Sequence, residues 1–375
     1  MKIKLKNTPE QVALFKALAS DKTAEKQEAQ EALAAFLGPV IQEVIDKAPT
    51  LANFFTDMPF PKYSGPYTIP LDLYYDIKET DYVRVWSQTM AGGMPTQQTH
   101  PPVEMPFGTY TLDSAITFDK KYAAQARLDV IGKSINRMLQ EVLDKQDLNA
   151  AAILLSALAN ASTGVAGTAT KHIIRSNTKD QFVFQDLNRL FTLIKRLRSS
   201  WNGGTPESRQ SRGLTTLAVS PEIIEFIRGL AYNPVNTAGT VTNIPATDSQ
   251  REAIHNSVGN PNFMGVELVE LNELGIGYRW NTLFDVQAGA TTYPNHAGTG
   301  SAAAFDGTAE EIVIGVDEGM ESLLRPVATD SERGSSFNVY PDDQFVSRQK
   351  RIGFYGEMEE GRLIVDDRAL VGMIV

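Results

Sequence analysis

Cysteine is absent from the 375 residues, which excludes disulfide frameworks, thiol nucleophiles, thiolate zinc sites and iron–sulfur clusters. Rigidity has to come from packing or assembly. Long apolar runs are missing as well, since no stretch approaches the ~20 residues needed to cross a bilayer. The amino end, Met1 to Lys6, leads into an amphipathic segment and not into a signal-type apolar core, which fits a protein made and used in cytoplasm, with no membrane partner. Histidine is scarce: His100, His172, His255 and His296 stand in loop-like contexts, and no two share the three- or four-residue spacing of a helical metal site. Positive charge is in deficit too. A formal charge of −10 argues against a protein that grips nucleic acid by neutralising many phosphates, and leaves room only for weak, non-specific contact.

What is present reads as an ordinary globular chain, 42% hydrophobic and 21% charged. Thr8-Pro9-Glu10-Gln11 is a helix start, with Thr8 as N-cap and Pro9 in the first helical position. Leu33, Phe36, Leu37, Val40, Ile41, Val44 and Ile45 then recur at spacings of three and four, the stripe of an amphipathic helix. Gly38-Pro39 interrupts it, which predicts a kink or a restart. Five prolines between Pro49 and Pro70 argue against helix. Leu71, Leu73, Tyr75 and Ile77 alternate with polar residues as in a strand, Tyr82 to Trp86 reads as its partner, and Thr109 to Phe118 returns to strand composition. Residues 63–118 thus resemble a two-legged excursion with little core of its own.

From Lys121 the pattern changes. Leu128, Ile131, Ile135, Met138 and Val142 predict one long helix reaching Leu158, unless Asp144 to Asp147 breaks it. Asp186 is a candidate cap for a helix carrying Leu187, Leu190, Ile194 and Leu197. Leu217-Ala-Val-Ser-Pro-Glu predicts a short strand, then a helix capped by Ser220 with Pro221 inside it. Val266 to Leu271 and Ile312 to Val316 are candidate strands, with the loop-like stretches Asn233 to Asn243 and Gln287 to Gly307 around them. The tail, Phe337 to Tyr340, Phe345 to Tyr355, Arg362 to Val365 and Ala369 to Val375, is β-rich. The fold class is α+β.

No residue set carries a reaction. Gly298-Thr-Gly-Ser-Ala-Ala lacks the preceding strand of a dinucleotide site, Trp201-Asn-Gly-Gly-Thr-Pro lacks the lysine of a phosphate loop, and Gly-x-Ser-x-Gly is absent. Asp342-Asp343 and Asp366-Asp367 read as turn carboxylates. Arg348, Lys350 and Arg351 read either as a phosphate contact or as ion-pair partners of a neighbouring subunit, Glu357 or Glu359. The chain is therefore expected to be no enzyme and to need no cofactor and no metal.

The order of elements is the strongest signal. An amphipathic arm, a strand excursion, a long helix ending in Asp147-Leu-Asn-Ala-Ala-Ala-Ile-Leu, a module opened by Leu217-Ala-Val-Ser-Pro-Glu-Ile-Ile and continued by Phe263-Met-Gly-Val-Glu-Leu-Val, and a closing segment with Arg348 to Arg351 and Gly361-Arg-Leu-Ile-Val-Asp-Asp-Arg-Ala-Leu resemble the tailed-bacteriophage major capsid protein of the Hong Kong 97-type fold. The resemblance implies an N-terminal arm at 1–60, an extended E-loop hairpin at 61–115, a peripheral (P) domain with its spine helix at 116–212, an inserted axial (A) domain at 213–310, and a return to the P domain at 311–375. It implies self-assembly into hexamers and pentamers of an icosahedral virion head around double-stranded DNA, built in the host cytoplasm. A separate scaffolding protein, a portal protein and a decoration or cement protein would be the partners. An encapsulin-type nanocompartment shell and a soluble α/β enzyme are the alternatives. On this reading the inter-subunit contacts fall on Leu33, Phe36, Leu37, Val40, Ile41, Val44 and Ile45 of the arm, on Leu73, Tyr75, Ile77 and Trp86 of the E-loop, and on Arg348 and Arg351.

Overall fold

Thr8 opens the first helix, Pro9–Leu18, by accepting the Gln11 N–H on its hydroxyl at 3.4 Å. The structure, a computed structural model, describes residues 8–20, 22–48, 50–62, 67–70, 104–125, 127–165, 168–201, 213–232, 262–263, 265–295, 302–329, 336–342 and 350–375. The chain forms two compact units: Met1–Tyr67, Phe107–Ala150 and Leu324–Arg362 make one, and Thr68–Pro106, Ala151–Leu323 and Leu363–Val375 the other.

In the first unit the arm stripe lies on a single helix, Thr23–Asp46, with Pro39 inside it. The helix continues through Gly38-Pro39 without a restart, and Pro39 is exposed. The central strand is Arg351–Glu360, paired along its length with Tyr110–Asp119 and on its other edge with Asn338–Asp342. Val327 meets it at Glu360. Strand periodicity sorts the two faces. Ile352, Phe354 and Met358, opposite Phe118, Ile116 and Leu112, turn inward, whereas Tyr355 and Glu357 meet Ala115 and Asp113 on the other face. At Gly356 the inward row has no side chain because Phe337 fills the space; a Cβ there would lie 2.6 Å from its ring. The inward face is covered by Phe15, Leu33, Leu37 and Ile41 from the arm helices and by Ile131, Ile135, Met138 and Leu139 from the long helix.

That long helix, Leu128–Asn160, has 33 residues and is ~50 Å long. Its break falls earlier than expected, after the short helix Lys120–Ala124, while Asp144 to Asp147 stays helical. Asp147 is held there by a bond to the Leu51 N–H at 2.8 Å, and Gln146 by one to Glu360 at 3.0 Å.

The second unit is built on a six-stranded sheet in the order Ile173–Arg175, Leu370–Ile374, Ile312–Val316, Thr216–Val219, Val266–Glu270, Asn262–Phe263. Ser220 caps the helix Pro221–Tyr232 through the Ile223 N–H at 3.2 Å. This helix links two parallel strands, Thr216–Val219 and Val266–Glu270, and packs with Phe184–Trp201 around Leu217, Val219, Val313, Val371 and Met373. Asp186 does not cap Phe184–Trp201 from outside. It lies in the first turn and reaches back to the N–H groups of Val183 at 3.1 Å and Asn177 at 2.9 Å, as the acidic half of a capping box does.

Strand pairing redraws the expected boundaries. Residues 110–115, assigned to the E-loop, pair with 355–360 inside the first unit. The second unit takes 151–201 from the expected P domain, and also Ile312–Val316 and Leu370–Ile374 from the expected return, because these strands pair with one another and with Thr216–Val219. The pair Thr292–Tyr293 with Ala303–Ala304 occupies ground read as loop, and the helix Arg279–Ala288 lies where no element was expected.

Candidate assembly surfaces

A subunit of an assembly needs side chains left over after its own core is packed, so burial is the first test of the predicted contacts. Leu33, Leu37, Ile41, Val44 and Ile45 fail it: each is at most 6% exposed and packs in the first unit's core. The period had located a buried face correctly, but the neighbours covering it belong to the same chain. Their assignment as inter-subunit contacts is therefore corrected. Val40 is half-buried, and Phe36 is 50% exposed. Of the arm residues, Phe36 has the most surface left to give. Leu73, Tyr75, Ile77, Trp86 and Arg348 lie outside the described residues. Arg351 sits at the start of the central strand, 3.6 Å from Asp119 in a surface pair with both side chains about half exposed, a geometry worth little to stability. Glu357 is taken by Lys62 and Glu359 by the Thr109 hydroxyl at 2.7 Å, so neither is the partner of Arg351.

The excursion is described at its base, where Thr68–Pro70 pairs antiparallel with Glu104–Pro106. In the first unit the rings of Phe60, Tyr67 and Phe107 cluster, with centroids 4.3 to 6.0 Å apart.

Sequence patterning missed a buried charge network in the first unit. Glu360 accepts from Arg325 Nε at 2.8 Å, Gln146 Nε2 at 3.0 Å and the Tyr110 hydroxyl at 2.8 Å, with Arg362 at 3.5 Å. Arg325 also reaches Asp57 at 3.1 Å, and Arg362 donates to the Ala52 carbonyl at 2.9 Å. Burial acts to raise the Glu360 carboxyl, but Arg362 and Arg325 outweigh it and hold the group below the ordinary range. Burial, helped by Glu360, pushes Tyr110 up to about 12. The network ties the exit from the arm, the long helix and three strands to one carboxylate. It builds a junction and offers no open position to a substrate.

In the second unit His172 is fully buried, its Nδ1 lying 3.0 and 3.1 Å from the Asp367 and Leu370 carbonyls. Since carbonyls only accept, that nitrogen carries the proton, and burial depresses the ring's basicity. Glu310 is paired with Arg175. Its neighbour Glu311 has burial pushing its carboxyl up to about 7, against the opposing bond from Ser220 and with help from Glu222. Among the described residues no group of three or more His, Asp or Glu is placed to hold a metal ion, and no helix is long and apolar enough to cross a membrane. The second unit also exposes large apolar side chains: Phe226 is 40%, Ile276 50%, Tyr278 52% and Val286 74% exposed. A groove of about 520 Å³ runs along the helix Phe184–Trp201, with Arg189 and Arg196 on its wall.

No protein-family model matches the chain, and no curated protein matches it in sequence. Solved structures are similar to it. The capsid of the cyanophage P-SCSP1u is 14% identical, with 85% of this chain and 86% of that one covered and a TM-score of 0.47. The capsid of a native GTA particle is 11% identical, with 87% and 89% covered and a TM-score of 0.46. The SrpI encapsulin complex of Synechococcus elongatus is 12% identical, with 86% and 85% covered and a TM-score of 0.40.

Proposed function

We propose that this chain is the repeating subunit of a closed protein shell, the major capsid protein of a tailed phage's icosahedral head. The observation that carries the reading is the order of elements along the chain. Two arm helices precede an excursion that leaves and returns at the paired strands Thr68–Pro70 and Glu104–Pro106. A core strand and the 33-residue helix follow, then an α/β module whose sheet is completed by Leu370–Ile374. This is the order of arm, E-loop, spine, A domain and return in the Hong Kong 97-type fold that the sequence resembles. The exposed side chains of Phe36, Ile276, Tyr278 and Val286 support it, because apolar surface of this kind is stabilised by burial in a partner. On this reading the chain associates with itself in hexamers and pentamers and with scaffolding, portal and decoration proteins. It meets the packaged DNA only weakly, and it is assembled in the host cytoplasm into the virion.

Electron microscopy of the purified protein is the test. Closed shells holding DNA, with one vertex unlike the rest, are the expected result. Shells enclosing a protein cargo and no DNA would assign the chain to the encapsulin type, and a monodisperse monomer would remove both readings.

A further inference from the structure

The second unit carries two surfaces of opposite character on different elements. The first is apolar and acidic. Tyr278, Thr282 and Val286 recur every four residues, so they share the exposed face of the helix Arg279–Ala288, away from buried Trp280, Phe284 and Ala288. Gly275 joins this face to the next helix: a Cβ there would lie 3.0 Å from the Tyr278 ring and 3.4 Å from a Glu222 carboxylate oxygen. Ring and carboxylate therefore flank one point. One turn along the helix Pro221–Tyr232 stands exposed Phe226, with exposed Glu225 beside it. Exposed Arg279 lays its guanidinium over the Trp280 ring at 4.7 Å.

The second surface is the groove along Phe184–Trp201, apolar at Ile174, Leu193 and Leu197 and basic at Arg189 and Arg196. Arg189 is fixed in place by the Arg175 carbonyl at 2.9 Å and Asn177 Oδ1 at 2.8 Å and pairs with Asp186 at 3.6 Å, which leaves Arg196 as the groove's main cation. Exposed Lys195 adds a charge beside it.

We propose that the acidic, apolar patch at Glu222, Phe226, Tyr278 and Val286 of one copy docks into the basic groove of the next copy. The occupant follows from charge. Copies carrying −10 each repel at long range, and a contact that brings local charges of opposite sign together offsets that repulsion; Glu222 on one surface and Arg196 on the other supply such charges, each beside apolar side chains. Because patch and groove differ, the contact is head-to-tail, the kind that closes into a ring when the rotation allows. The proposal rests on the shell-subunit reading and names the surfaces that join neighbours within a ring.

Since the chain has no cysteine, introduced thiols report alone. Assembled particles of the double variant Thr192→Cys/Thr282→Cys, treated with a short bismaleimide, should give a ladder of cross-linked oligomers on a denaturing gel, and either single variant should give none. Dimers from a single variant would mean that like surfaces meet, which overturns the proposal. Particles that form but yield no ladder overturn it while leaving the shell reading intact; a failure of the unmodified chain to form particles removes the shell reading itself. As a second readout, Arg196→Glu should lower particle yield about tenfold, and adding Glu222→Arg should restore it. Wild-type yield from Arg196→Glu, or no restoration by the second change, counts against the pairing.

Discussion

Arg325 donates its Nε–H to Glu360 at 2.8 Å with the two side chains 6% and 0% exposed, at the point where strand Leu323–Thr329 meets the end of the central strand. Replacing Arg325 by Met leaves a buried carboxylate short of a partner, and such losses cost about 3–5 kcal/mol. Arg325→Met/Glu360→Leu should recover part of that loss. Denaturant titrations of the two variants and the parent give the comparison, and equal loss in both would show that the charge is not what matters.

The same carboxylate sets an acid limit. The Glu360 carboxyl is held below its ordinary value in the folded chain, so the stability it contributes is complete above the unfolded value and is lost as pH falls through the folded one. Denaturation midpoints should drop below the ordinary carboxylate range in the parent and drop less in Glu360→Gln.

Glu311 has the opposite sign. Its carboxyl, pushed up to about 7 by burial, binds a proton more readily folded than unfolded, so its stabilising contribution is present below the unfolded value and is lost as pH rises towards 7. The cost approaches about 1.4 kcal/mol per pH unit across that window. Glu311→Gln should therefore gain on the parent as pH rises from about 5 to about 7. A constant difference over that range would place the carboxyl's ionisation elsewhere.

Two adjacent arm residues separate folding from assembly. Leu37 is 1% and Phe36 50% exposed, so Leu37→Ala should destabilise the subunit by about 2–5 kcal/mol, whereas Phe36→Ala should stay within about 0.5 kcal/mol and reduce particle yield instead. Deleting residues 8–46 should unfold the first unit, since it uncovers Ile135, Leu139 and Phe354. A near-native circular dichroism spectrum from the deletion would mean that the arm is dispensable to its own core.

Local signals were legible and long-range ones were not. Thr8, Ser220 and Pro221 marked helix starts because caps act within three residues, and Ile312–Val316 stood out as a β-branched run interrupted only by Gly315. The strands Thr56–Pro61 and Leu323–Thr329 were hidden by Pro59, Pro61 and Pro326, residues that remove ladder donors, and they pair in parallel across most of the chain's length. Helix Arg279–Ala288 was masked by its flanking glycines, although Trp280, Phe284 and Ala288 at spacings of four were available to find it. The arm stripe shows the deeper limit. Periodicity states that Leu33 to Ile45 face something apolar, but it cannot say whose. The Glu360 network left no pattern at all, because its members come from five separated segments and each alone reads as a surface charge or a polar helix position.

The central claim, that this chain exists to build a shell, is tested most directly by sedimentation velocity of the purified protein. The account predicts a sharp boundary from large, uniform particles with little material left at the 41.1 kDa subunit. A stable monomer as the sole sedimenting species, above all one that turns over a metabolite, would contradict it.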